Sequence, residues 1–104
     1  MRPTRVTQSG AGNSSPVVVD TYGRAQIGIQ VVVTGTFNYT VQQTFDNLFD
    51  SSITPTWSDF PDPNIVGATT SQTSMCNTPP MALRLVGNSG AGSAVMTVLS
   101  SATN

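Results

Sequence analysis

The stretch Ile27-Gly28-Ile29-Gln30-Val31-Val32-Val33-Thr34-Gly35-Thr36-Phe37-Asn38-Tyr39-Thr40-Val41-Gln42-Gln43-Thr44-Phe45 decides the fold. Its first half is a β-branched run in which every odd position is apolar. Its second half alternates: Phe37, Tyr39, Val41 and Phe45 share one side, while Thr36, Asn38, Thr40, Gln42 and Thr44 share the other, with Gln43 as the one interruption. A period of two marks a strand with one face buried. Gly35 reads as the turn, which predicts an antiparallel hairpin at the centre of the domain, with Val31 and Val33 joining Phe37, Tyr39 and Val41 in the core.

On the N-terminal side, Pro3–Gln8 reads as an edge strand, with Pro3, Arg2 and Arg5 discouraging unwanted pairing along it. A loop, Ser9–Ser15, leads to a short strand over Pro16–Asp20. On the C-terminal side, Asp46–Asp50 can close one helical turn with Asp46 as its N-cap. Ser51–Thr78 is rich in Pro, Ser and Thr and reads as one long irregular loop, with a possible short strand over Ile53–Trp57. Met81–Val86 and Ser93–Leu99 then predict a closing hairpin. Ser-Gly-Ala-Gly occurs twice, at Ser9–Gly12 and Ser89–Gly92, and reads as two independent flexible loops. Neither copy has the third Gly and helix of a dinucleotide loop or the Lys of a phosphate loop.

Composition agrees with this pattern. The 104 residues contain no Lys, Glu or His, so the usual surface helix formers are missing and Thr, Ser, Val, Gln and Asn take their place. The expectation is one all-β domain over residues 1–104, a compact β-sandwich or small jelly roll of about 7–8 short antiparallel strands with one long irregular loop. Four Arg against five Asp give a net charge of −1, which offers no basic footprint for nucleic acid and little repulsion between copies. No apolar run is long enough for a membrane helix, and the start Met1-Arg2-Pro3-Thr4-Arg5 leads into polar residues rather than a signal-peptide apolar region. Function without export is therefore the expectation, with Asn13-Ser14-Ser15 and Asn38-Tyr39-Thr40 as chance matches to the glycosylation pattern.

Chemistry is sparse. Without His or Lys a serine nucleophile has no partner, and Cys76, the single cysteine, reads as a small buried filler. Asp46 with Asp50, and Asp59 with Asp62, are the only paired carboxylates that acid–base work or calcium binding could use. They read first as caps and solubilising groups, so no catalytic residue, metal or cofactor is expected. Trp57 and Phe60, in Thr56-Trp57-Ser58-Asp59-Phe60-Pro61, suggest an aromatic platform or a subunit interface. Arg84, inside an apolar strand, calls for a carboxylate partner or an intersubunit contact. Trp57, Phe60, Arg84, Arg2 and Arg5 are thus the interface candidates.

An ordered set of pieces carries a resemblance: Met1-Arg2-Pro3-Thr4; Val31-Val32-Val33-Thr34-Gly35-Thr36 leading to Tyr39-Thr40-Val41-Gln42 and Thr44-Phe45-Asp46; Thr56-Trp57 with Pro61; Pro80-Met81-Ala82-Leu83-Arg84-Leu85; and the closing Gly92-Ser93 strand. Together these resemble small, Lys-poor structural proteins of tailed bacteriophage virions, over nearly the whole chain. The resemblance implies a β-sandwich component assembled in the host cytoplasm, most simply a capsid decoration or cement protein. Its partners would be the major capsid protein and further copies of itself as a homo-oligomer, with no direct contact to nucleic acid or membrane. The alternative is a tail, collar or head-fibre component that binds host surface glycan through the Trp57 loop.

Overall fold

A computed structural model describes residues 4–18, 24–46, 51–76 and 81–103. Among these, ten strands and one 3₁₀ turn make two antiparallel sheets packed face to face. In chain order the strands are β1 (Thr4–Ser9), β2 (Gly12–Asn13), β3 (Val17–Val18), β4 (Arg24–Thr34), β5 (Asn38–Thr44), β6 (Ser58–Asp59), β7 (Val66–Ala68), β8 (Gln72–Cys76), β9 (Ala82–Ser89) and β10 (Ser93–Thr103), with the 3₁₀ turn at Pro63–Ile65. The first sheet runs β1-β10-β4-β8. In the second, β9 pairs with β2, β3 and β5, and β5 pairs on its far side with β6 and β7. This is the expected all-β sandwich.

Its connectivity differs from the expectation. β4 and β5 do not form a hairpin: β4 belongs to the first sheet and β5 to the second, so the chain at Gly35 arches across the core. The closing pair β9 and β10 is divided between the sheets in the same way. Ladder length explains the choice. β10 lies against β4 over eleven residues, from Ser93 opposite Thr34 to Thr103 opposite Arg24, a longer pairing than the seven residues of β5 allow. β5 instead matches β9 over seven positions, Asn38 to Thr44.

An arch and a hairpin bury the same residues, because each turns the apolar side of both strands inward. Val31, Phe37, Tyr39 and Val41 are fully buried, and Val33 packs half-buried against them. Ile27, Ile29, Met96 and Val98 from the first sheet meet Leu83 and Leu85 from the second. Tyr39 turns its hydroxyl to the sandwich edge and donates to the Thr70 carbonyl at 2.8 Å, and burial raises its pKa above the ordinary phenol value. Phe45 departs from the expected alternation and is 62% exposed. The strand ends one residue earlier, where the buried Thr44 accepts from the Asp46 N–H through its hydroxyl and from the Met81 N–H through its carbonyl.

The described part of the Ser51–Thr78 segment, residues 51–76, is more ordered than its composition suggests. It contributes β6, β7, the 3₁₀ turn and β8, which completes the first sheet beside β4. No strand forms over Ile53–Trp57, since the pairing with β5 begins at Ser58. Asp62 accepts from the Asn64 N–H at 3.0 Å to cap the 3₁₀ turn, and from the Ser74 hydroxyl at 2.6 Å to tie that turn to β8.

The two Ser-Gly-Ala-Gly copies are not independent. Each carries the chain from one sheet to the other, and they meet at one end of the sandwich, where the Gly10 N–H donates to the Gly92 carbonyl and the Gly92 N–H donates to the Thr36 carbonyl. Glycine is required there: Gly90 sits at φ +107°, and a Cβ on it would strike the Thr36 backbone, while one on Gly87 would strike the Gly10 carbonyl and the Phe37 ring. Nearby, Ser14 bridges β2 and β3. Its N–H donates to the Leu85 carbonyl and its hydroxyl accepts from the Leu85 N–H, so a side chain continues the ladder where the backbone leaves it. The expected helical turn lies mostly outside the described residues.

Candidate functional site

The outward surface of the second sheet brings together two of the five interface candidates. In β5, Asn38, Thr40 and Gln42 alternate with the buried Tyr39 and Val41 and so point outward, facing Arg84 and Asn88 of β9. Gln42 lies opposite Arg84 on one side and Asp59 of β6 on the other. Its carboxamide oxygen accepts from both Nε and Nη2 of Arg84, at 2.9 and 2.6 Å, and its Nε2 donates to Asp59 Oδ1 at 3.1 Å. The Trp57 ring lies over the guanidinium, 4.5 Å from Cζ to the ring centroid, close enough for a cation–π contact. Partial burial lowers the Arg84 pKa, a direction that leaves an arginine charged at neutral pH. Further along the same surface, Asn88 Nδ2 donates to Asn38 Oδ1 and Thr40 Oγ1, and Thr40 Oγ1 also accepts from the Gly67 N–H.

Phe60 does not join Trp57. It is 3% exposed and belongs to the core, with its N–H donating to the Val41 carbonyl. The two-residue pairing at Ser58–Asp59 sends the flanking aromatics to opposite sides of the sheet, so no two-ring platform forms and Phe60 is not an interface residue. Arg5 is exposed on the outer side of β1, opposite Thr97, on the other sheet from Arg84. Arg2 lies outside the described residues.

The outward surface of the first sheet is different in kind. The register places Leu99, Gly28 and Met75 in one row across β10, β4 and β8, and Thr7, Val95 and Val32 in another across β1, β10 and β4. Between them runs a polar row of Arg5, Thr97, Gln30 and Thr73. Val32, Met75 and Leu99 are 44%, 76% and 46% exposed. Gly28 leaves a dip between Leu99 and Met75. The resulting shallow depression of about 350 Å³ is bordered by Gln30, Thr73, Thr97 and Leu99, and a second of about 220 Å³ lies beside Val32 and Ser71.

The carboxylates are occupied locally. Asp46 Oδ2 accepts from the Thr56 N–H, Asp59 holds Gln42, and Asp62 caps its turn; Asp50 lies outside the described residues. Among the described residues, no three His, Cys, Asp or Glu side chains gather where they could hold a metal ion. Comparison with protein-family models, curated proteins and solved structures finds no match for this chain.

Gln42 and the apolar outer residues of the first sheet were not among the sequence candidates. The even-numbered phase of the β5 segment marks Gln42 as outward-facing, and Gly28 inside a β-branched run marks the dip. Neither signal names a partner.

Proposed function

We propose that this chain is a structural virion protein of a tailed bacteriophage, a decoration or cement protein that binds the assembled capsid in multiple copies. The virion setting is supported by the resemblance of the sequence pattern. The surface that carries the binding reading is the outer side of the first sheet, where Met75 and Leu99 stand exposed beside Gly28, Val32 stands exposed across the polar row, and Arg5 is the one charge in that row. Removing apolar surface from water is worth roughly 25 cal/mol per Å² before the cost of association, so one copy gains modestly and an array of copies gains by multiplicity. A patch this poor in charge predicts binding that depends only weakly on salt.

The reading assigns no catalytic step to the chain. The glycan-binding alternative loses its two-ring platform, because Phe60 is buried and the Trp57 ring is engaged by Arg84.

The test is mass spectrometry of purified particles separated into heads and tails, with wild-type chain and a Met75→Ser/Leu99→Ser variant. Wild type should be found on heads in many copies, and the variant should be depleted while retaining its melting temperature. Recovery of wild type in tails, or in neither fraction, would overturn the proposal.

A further inference from the structure

We infer that Arg84 is a preset receptor for a single carboxylate, supplied by an Asp or Glu side chain on the surface of a partner protein. A guanidinium has two edges that can each grip a carboxylate with parallel N–H bonds: the side-on edge of Nε with Nη2, and the end-on edge of Nη1 with Nη2. In Arg84 the side-on edge is filled by one oxygen of Gln42. Among the described residues, Nη1 of the end-on edge donates to no acceptor and no carboxylate forms an ion pair with Arg84. Asp59, the acid closest along the network, is held one amide away by Gln42 Nε2.

The side chain is also fixed in place. Gln42 sets the plane of the guanidinium and Trp57 covers one of its faces, so much of the rotamer freedom that a surface arginine loses on binding is already lost here. That arrangement suits a planar, monoanionic group arriving in line with the open edge.

Charge selects among anions. Arg84 is the one cation described on the second sheet, since Arg5 and Arg24 belong to strands of the first. A phosphate dianion would meet one positive group with Asp59 beside it, whereas a carboxylate balances one guanidinium. The form of the site selects the source. Arg84, Gln42 and Trp57 are half-buried and Asp59 is exposed on the outward side of the second sheet. A guanidinium edge displayed on the outward side of a sheet fits an acidic side chain projecting from a partner protein. The inference is independent of the virion setting, because it requires only the geometry of this face.

Trp57 is the only tryptophan, so its emission reports occupancy of the site directly. The experiment titrates the full chain with N-acetyl-Glu-Glu-Glu-amide, with the matching Gln peptide and with trigalacturonate, using wild type, Arg84→Lys, Arg84→Gln and Arg5→Gln. The Glu peptide should change the Trp57 emission saturably and the Gln peptide should not. Both Arg84 variants should weaken the response roughly tenfold or more, as expected for losing hydrogen bonds to a charged group. Arg84→Lys keeps the charge and so isolates the geometry of the open edge, and Arg5→Gln, which removes the same charge elsewhere, should bind like wild type. Equal weakening by Arg5→Gln, no response to the Glu peptide, or a response to trigalacturonate alone would each overturn the inference. The result does not depend on whether the chain is found on particles.

Discussion

The two outward faces of the sandwich arise from the same inward–outward alternation on two different sets of strands, yet they solve opposite problems. On the second sheet, Gln42 joins Arg84 to Asp59 with Trp57 over the guanidinium, and Asn38, Thr40 and Asn88 form a second cluster further along the strands. On the first sheet, Met75 and Leu99 flank Gly28 and Val32 stands across the polar row, all three exposed. One face spends its side chains on internal bonds and leaves a single directional group open; the other leaves apolar area uncovered. A face of the first kind recognises chemistry, and a face of the second kind gains from area. The contrast separates specificity from adhesion within one small domain.

The strongest way to break the comparison is to remove the core that holds both faces in place. Phe37→Ala should cost about 3–5 kcal/mol, because the ring is fully buried between the sheets. Chemical denaturation measures this directly, and a loss below about 1 kcal/mol would mean that the arch at Gly35 does not pack as described.

Next, the two faces should respond differently to truncation. Trp57→Ala should cost about 1 kcal/mol, through the lost cation–π contact and the loosened Arg84. Met75→Ser should change stability by less than about 0.5 kcal/mol and Leu99→Ser by little more, because both side chains are exposed in the isolated chain, Met75 more than Leu99. Equal losses on both faces, measured by the same denaturation series, would erase the distinction.

Filling the dip should act in the opposite direction. A Cβ on Gly28 would meet nothing closer than the Leu99 carbonyl at 3.8 Å, so Gly28→Ala should stabilise the fold by about 0.4–1 kcal/mol by restricting the unfolded chain. The same change should weaken any partner seated in the depression. A rise in melting temperature together with weaker capsid binding would sharpen the assignment of that face.

The smallest effect expected is on pH dependence. The Ser74 hydroxyl and the Asn64 N–H hold the Asp62 pKa below its ordinary value, against a minor opposing effect of burial. The folded state therefore binds its proton less readily than the unfolded one. The contribution of Asp62 to stability is present above the ordinary carboxylate pKa and is lost as pH falls through the depressed folded value. Because the hydrogen bonds of Asp62 are partly exposed to water, the contribution is small, and Asp62→Asn should flatten the acid limb of the stability curve slightly and lower stability slightly at neutrality, where the contribution is fully present.

These effects also show which parts of the molecule the sequence made legible. The alternation of Phe37, Tyr39 and Val41 identified the buried side of β5 correctly, because a period of two fixes orientation whatever lies next to the strand. It could not identify the neighbour. An arch and a hairpin satisfy the same inward pattern, and the decision rested on an eleven-residue ladder between β4 and β10 that no local pattern contains. At the candidate site, Trp57 and Arg84 stood out as unusual residues in their settings, and the structure puts them in contact. Phe60 was misplaced because a two-residue strand is too short to announce its phase, and one step of phase separates the core from the surface. Gln42 went unnoticed because a glutamine on a polar strand face becomes informative only when its cross-strand neighbours are known.

The division of chain neighbours between opposite sheets has a consequence for how the molecule is made. β10 is the central partner of both β1 and β4, yet it follows every other described strand in the chain. On the ribosome, β8 can pair with β4 once residues 72–76 have emerged, but β1 has no partner in its sheet and the other edge of β4 stays open until residues 93–103 have cleared the exit tunnel. The nascent chain therefore carries β1 and the longest ladder of β4 unpaired until its last described strand emerges, then closes contacts that are far apart in sequence in a late step. Folds dominated by such distant pairings assemble in milliseconds to seconds rather than microseconds.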